Sequence, residues 1–275
     1  MAMPFRFAGI QCLMMIGLLA QPGGGSPGLR QASQLDVEGK YAEARELFQK
    51  EIDTAANPRA KANAQRAMAM SYAFEGNCQK TGEFERMVMD YWVTQETAEP
   101  KNAFYQQGEM ANEAARVCID AGDVNAAERW YKLGTALGLK EPEIAADRTA
   151  LWNFRLAHAQ ARIAARRGKR AEAVRYVADA KTALESMTDL RKAQEVYFPY
   201  LTGYVGLYLG DYKAALADFL KANQNDAFIQ CLIAQTYEKL GDKEKALEYW
   251  RMAGKAKSHN PPGAYAIPLA RRKLG

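Results

Sequence analysis

Reactive side chains are few in this chain and poorly grouped. Its two histidines, His158 and His259, lie far apart, and neither has a Cys or a second His at the spacing of a metal-ligand set. No Walker loop, no GxGxxG following a strand, no GxSxG elbow and no HExxH occurs. Gly23-Gly24-Gly25 has neither a Lys nor a strand beside it and reads as a linker rather than a phosphate loop. Acidic residues stand beside Lys or Arg on helical faces, as Glu244 does beside Lys245, which is the pattern of a solvated surface. Hydrolysis by paired carboxylates would need two acids that only the fold could bring together. A helical active site built on such a pair, or on His158, stands third behind binding and assembly. We expect no catalytic residue, no metal and no cofactor, and function then falls to a binding surface.

The elements that could carry one are helices. The 275 residues include 37 Lys+Arg and 32 Asp+Glu, for a net charge of +5, and 48% of them are apolar. That is ordinary globular usage. It excludes a mainly disordered chain, and 49 alanines favour close helix packing. Residues 1–20 form a leader: Arg6 precedes an uncharged run from Phe7 to Ala20, too short to span a bilayer, followed by Gln21-Pro22 and three glycines. A secretory signal peptide cut after Ala20 is expected, and an uncleaved N-terminal anchor is the alternative. Cutting there lowers the net charge from +5 to +4 and leaves Cys78, Cys118 and Cys231, an odd set in a disulfide-permissive compartment. No later stretch could span a membrane.

From residue 26 onward, apolar residues recur at intervals of three and four, as in LDVEGKYAEARELFQKEI. Six glycines, Gly39, Gly76, Gly122, Gly168, Gly210 and Gly241, each follow one helical run and precede another. Seven residues before them stand Ala32, Ala69, Ala115, Ala161, Gly203 and Ala234; five after stand Ala44, Thr81, Ala127, Ala173, Ala215 and Ala246. Composition alone would place about one Ala in each slot of six, and five are present in each. Nine residues after the glycines stand Phe48, Glu85, Tyr131, Val177, Phe219 and Trp250, large and apolar except at Glu85. Small pairs let two antiparallel helices approach, and the large residue fills the gap to the next pair.

The stretches GKYAEARELF, GDVNAAERWY, GDYKAALADF and AQTYEKLGDKEKALEYW, in this phase, resemble the tetratricopeptide repeat family over residues 26 to about 256. The resemblance implies an all-α, right-handed solenoid of antiparallel helix pairs, about six repeats within a domain of residues 26–275, behind a signal peptide and linker over 1–25. Turn spacings of 37, 46, 46, 42 and 31 depart from the regular period of about 34 and predict longer first helices near 101–121 and 143–167. His259-Asn260-Pro261-Pro262 breaks the last repeat, and the following AYAIPLARRKL reads as a terminal cap helix.

The family binds peptides on the concave face lined by first helices. Transferred to this chain, that face carries Arg66 and Met70, then Asn112 and Arg116, then Arg155, His158 and Arg162, then Tyr197, Tyr200 and Tyr204, then Phe228, Cys231 and Gln235. Guanidinium forks and tyrosine rings suit a protein or peptide partner with acidic and apolar or aromatic positions, a carboxylate terminus being one anchor. The alternative is that the tyrosines are core and the arginines pair with acids of a neighbouring repeat. Cys118 stands in a slot where Tyr72 and Tyr237 stand in other repeats and reads as a packing residue; the second reading is a disulfide with Cys78, which stacked repeats could bring to the same edge. Arg166-Arg167-Gly168-Lys169-Arg170 is a second basic cluster, at a turn; export and the near-balanced charge argue against nucleic acid. The resemblance implies an adaptor and the leader an exported or periplasmic one, with a structural subunit of an envelope assembly as the alternative. Neither the partner nor the oligomeric state is legible.

Overall fold

The computed structural model describes residues 25–275; residues 1–24, and with them the expected leader, lie outside the described residues. Within that span the chain is all-helical. The helices are α1 (Pro27–Glu38), α2 (Tyr41–Asp53), α3 (Pro58–Phe74), α4 (Cys78–Thr94), α5 (Pro100–Asp120), α6 (Val124–Gly138) and α7 (Ala146–Arg166). They continue as α8 (Arg170–Glu185), α9 (Arg191–Glu195), α10 (Phe198–Leu209), α11 (Tyr212–Phe219), α12 (Ala227–Leu240), α13 (Lys243–Ala253) and α14 (Pro261–Leu274). Starts are marked by capping side chains: Asn57, Asn77, Asp123, Asp242 and Asn260 each accept an N–H from the first turn. Proline at the first turn of α3, α5 and α14 fits because no N–H is needed there. All six turn glycines have positive φ, from 68° at Gly76 to 94° at Gly122, the conformation that reverses the chain between paired helices.

Adjacent helices pack in pairs: α1 with α2, α3 with α4, α5 with α6, α7 with α8, α10 with α11 and α12 with α13. Their contacts run through the small-residue slots. Ala32, Ala44, Ala69, Ala115, Ala127, Ala161, Ala173 and Ala234 have no exposed surface, and Phe48, Phe219 and Trp250 fill the following slot. Trp152 shows how tight these seats are: a Cβ on Gly138 would lie 2.0 Å from its ring. The long first helices expected near 101–121 and 143–167 are α5 and α7. The wide Gly168–Gly210 spacing has another source, the short α9 and its flanking turns between α8 and α10.

The last helix departs from expectation. As a terminal cap it should close only the end of the last pair. Instead α14 contacts α12 and α13 and also α3 and α5 from the opposite end of the chain. Ile267 shares a core with Met70 and Phe74 of α3 and Val117 of α5, and Tyr265 packs on Phe228 of α12 at 5.0 Å between ring centroids. Side chains thus link α3, α5, α7, α10, α12 and α14 in a closed circuit. The physical cause is that α14 is apolar on more than one side: Ala264, Ala266, Ile267, Pro268 and Ala270 are all buried. One neighbouring pair could not cover them all.

Candidate partner-binding face

The inner circuit holds the arginines and tyrosines singled out in the sequence. On α3, Arg66 grips Glu113 of α5 with both prongs of its guanidinium, Nε to Oε2 at 3.0 Å, and Glu113 raises its pKa. On α7, Arg155 donates to Glu109 of α5 and to Tyr105 Oη at 3.3 Å. These two cations are matched one to one.

One turn further along the face the balance changes. Arg162 is 5% exposed. Its Nη1 donates to Tyr200 Oη at 2.9 Å and its Nη2 to Tyr131 Oη at 2.7 Å, while its Nε has no partner. Three rings, those of Tyr131, Tyr200 and Tyr204, lie 5.4–5.7 Å from the guanidinium carbon. Arg166 donates to Tyr208 Oη at 2.7 Å and to the Ile119 carbonyl at 2.9 Å. Arg116 is half-buried on α5. Among the described residues none of these three reaches a carboxylate at ion-pair distance, in contrast to Arg66 and Arg155. The acid whose charge they share is Asp120: burial pushes its carboxyl up to about 6, against the opposing pull of Arg116, Arg162 and Arg166. Three guanidiniums therefore face one reluctant carboxylate.

Several residues expected on an open face are interior. His158 is 7%, Tyr200 9% and Tyr204 1% exposed. Tyr200 and Tyr204 belong to the core with Leu207, Phe228 and Leu232, and His158 packs on Tyr200 at 5.1 Å. Burial, then repulsion from Arg162, holds the His158 imidazole well below its usual range, so it is neutral. Burial pushes Tyr200 up to about 12. The reason these residues are covered is the side-by-side packing of α7, α10 and α12. Tyr200 and Tyr204 are core, as the alternative had it, but its pairing of arginines with acids of a neighbouring repeat holds for Arg66 and Arg155 and not for Arg162. Tyr197, by contrast, is 48% exposed. Asn112 is half-buried beside Gly134, and Gln235 donates to Tyr265 Oη of α14 at 3.1 Å. Cys78 and Cys118 are bonded, S–S 1.98 Å, tying the start of α4 to the end of α5; Cys231 is a buried free thiol. In the second basic cluster three of the four cations are paired, Arg167 with Glu128 of α6 at 2.7 Å, Lys169 with Glu172 at 3.0 Å and Arg170 with Asp211 at 2.5 Å, while Arg166 belongs to the inner arginine cluster.

Two buried acids were missed by the sequence reading. Asp36, fully buried on α1, accepts from Ser71 Oγ and meets His259 Nε2, both at 2.8 Å. His259 lies against the rings of Phe48 and Phe74. The trace was faint: three residues before the turn glycines stand Asp36, Ala73, Ile119, Ala165, Leu207 and Glu238, so an acid at this slot occurs twice. Glu85 occupies a slot otherwise large and apolar; it is fully buried and neither oxygen has a partner. Burial, then Glu113, raises its pKa well above the carboxylate range.

A cleft of about 240 Å³ opens beside the Asp120 end of the arginine cluster, between the last turns of α3 and α5 and one side of α14; Phe74, Val117, Asp120, Tyr265 and Pro268 line it. Among the described residues no group of three His, Cys, Asp or Glu could hold a metal, and no helix is long and apolar enough to cross a membrane. No protein-family model and no curated protein matches the chain.

Proposed function

We propose that this chain is an exported, non-catalytic adaptor of the tetratricopeptide-repeat type, which binds an acidic segment of a protein partner on the inner side of its helix pairs. The repeat type is supported by six positive-φ glycines in one sequence context and by the paired packing of consecutive helices. Export is supported by the character of residues 1–20 and by the disulfide, which suits an oxidising compartment.

The observation that carries the reading is the charge excess at Arg116, Arg162 and Arg166, with Asp120 the one acid among them. Guanidinium remains charged at any working pH. Leaving such charges poorly solvated and unmatched is costly, and a partner carboxylate would supply what Asp120 supplies incompletely. Arg116 and Arg166 are half-buried where Arg162 is buried, and the cleft reaches Asp120, the acid they share.

The test is binding of residues 21–275 to an array of peptides in which acidic positions and a free C-terminal carboxylate are varied. Wild type should select acidic peptides, and Arg116→Glu should weaken them by about tenfold or more. Arg116 makes no side-chain hydrogen bond or ion pair among the described residues, so this variant should fold. Equal binding by both proteins, or no acidic preference, would refute the reading.

A further inference from the structure

The helix α14 sits where a partner would. Met70 on α3 and Phe228, Cys231 and Gln235 on α12 stand at positions the repeat pattern assigns to the ligand face. Each is covered by α14. Met70 shares a core with Ile267. Phe228 packs on Tyr265, Cys231 Sγ lies 3.7 Å from the Ala266 carbonyl and Gln235 donates to Tyr265 Oη. We infer that α14 is an internal occupant of the partner-binding face, and that a partner takes this face by displacing it. This rests on the binding function proposed above.

Three features mark α14 as a releasable element rather than a fixed part of the core. First, four of its seven buried residues are small, Gly263, Ala264, Ala266 and Ala270, which remove little apolar surface from water apiece, and Ile267 is the one large aliphatic among the seven. Pro268 stands inside it and leaves one helical carbonyl without a donor. Second, the fit is incomplete. The 240 Å³ cleft runs along one side of α14, whereas neighbouring helices elsewhere close so tightly, α6 on α7 and α10 on α11, that a Cβ on Gly138 or Gly203 would strike an aromatic ring. Third, α14 is held at its ends by polar anchors. His259 meets Asp36, Arg271 donates to the Val37 carbonyl, and Lys273 meets Glu238 at 3.0 Å. The non-helical residues 254–260 join it to α13 and would let it swing.

Charge decides which occupant is preferred. The last turn of α14 is basic, Arg271, Arg272 and Lys273. It offers no carboxylate to Arg116, Arg162 or Arg166, so closing the face with α14 leaves that excess unmatched. A segment bearing Asp or Glu would gain what α14 cannot give. The structure thus favours an incoming acidic segment over the basic helix already there, once the end anchors open.

Hydrogen exchange on residues 21–275 tests this, together with a labelled peptide of residues 258–275 as a probe of the vacated face. In the unmodified chain, amides of 264–274 should exchange more than about a hundredfold faster than those of α5 and α12, through a local opening. In His259→Ala/Arg271→Ala, exchange of α14 should quicken by a further factor of about ten, and the peptide should bind in trans at least about tenfold more tightly than to wild type. Exchange of α14 in step with α5 and α12, with the same denaturant dependence, would overturn the inference. So would a folded variant that does not take up the peptide. Should the variant not fold, the unmodified chain's exchange pattern decides. A local opening with no binding of acidic peptides would refute the adaptor reading and leave the release of α14 standing.

Discussion

Replacing Asp120 by Asn separates two opposed views of the arginine cluster. A carboxyl that titrates at 3.8 in an unfolded chain and at about 6 in the native protein has a charged form that folding disfavours by about 3 kcal/mol. The sign follows from proton linkage. Between those two values the native state binds more protons than the unfolded chain. The contribution of Asp120 is therefore fully present below pH 3.8 and is lost as pH rises through about 6. Asp120→Asn keeps the shape and removes the charge. It should stabilise the protein by up to about 3 kcal/mol at pH 7, or about 6–12 °C in Tm for a chain of this size, and by almost nothing at pH 3.5. Urea denaturation of both proteins at intervals from pH 3.5 to 8 would give the difference as a curve that rises between 3.8 and about 6, half complete near pH 5, and flattens above 6. The same variant leaves Arg116, Arg162 and Arg166 without their one acid and should strengthen binding of acidic peptides. A variant less stable than wild type at pH 7 would refute the reasoning. It would make Asp120 a needed counter-ion, and the cationic excess that carries the proposed function would be smaller than the geometry implies.

Two further outcomes test the packing. The Cys78–Cys118 bond spans a sequence separation of 40, for which loop-closure entropy gives about 4 kcal/mol; Cys78→Ala/Cys118→Ala should lose about 2–4 kcal/mol in denaturant titration. Non-reduced, denatured protein of residues 21–275 should show one reactive thiol, Cys231. Gly138→Ala drives a Cβ to 2.0 Å from Trp152 and should cost about 1–3 kcal/mol, with a shift in tryptophan emission as Trp152 is displaced. An unchanged midpoint would mean that α6 and α7 are less closely joined.

The helix pairs were legible because each depends on local chemistry repeated six times: a glycine that reverses the chain, small residues flanking it and a large one beyond. Slots that break the rule were legible as anomalies but not as structure. Thr81 keeps its small-residue slot by turning its hydroxyl onto the Ala69 carbonyl at 3.2 Å. Glu85 holds an apolar slot as a buried acid, its carboxyl raised first by burial and then by Glu113 of the next pair, 28 residues on, which no pattern around Glu85 announces. The seat of α14 was not legible at all. Its residues make contacts with α3 that span almost the whole described chain, and periodicity within PPGAYAIPLARRKL says that it is a helix without saying what it lies against. Phase could place Arg162 and Tyr204 on the inner side. It could not tell an open groove from a closed one, because closure depends on the interval between helices and on that remote segment.

The balance between core and binding face rests on how the inner charges are held. Hydrophobic residues of similar volume commonly match or exceed a buried ion pair in stability, so the pairs Arg66–Glu113 and Arg155–Glu109 need no function to explain them beyond setting the register of α3, α5 and α7. The same explanation fails for Arg162. It is as buried as the surrounding core, spends its donors on neutral tyrosines and leaves Nε unpaired. Pairing alone would have called for an acid at Tyr131 or Tyr200. Tyrosines instead hold the guanidinium in place without discharging its field, and the basic end of α14 does nothing to discharge it from outside. A cation kept rigid and unneutralised is preorganised for an anion that arrives later, which is why the charge excess, rather than the repeat architecture, is the feature that points to an acidic partner.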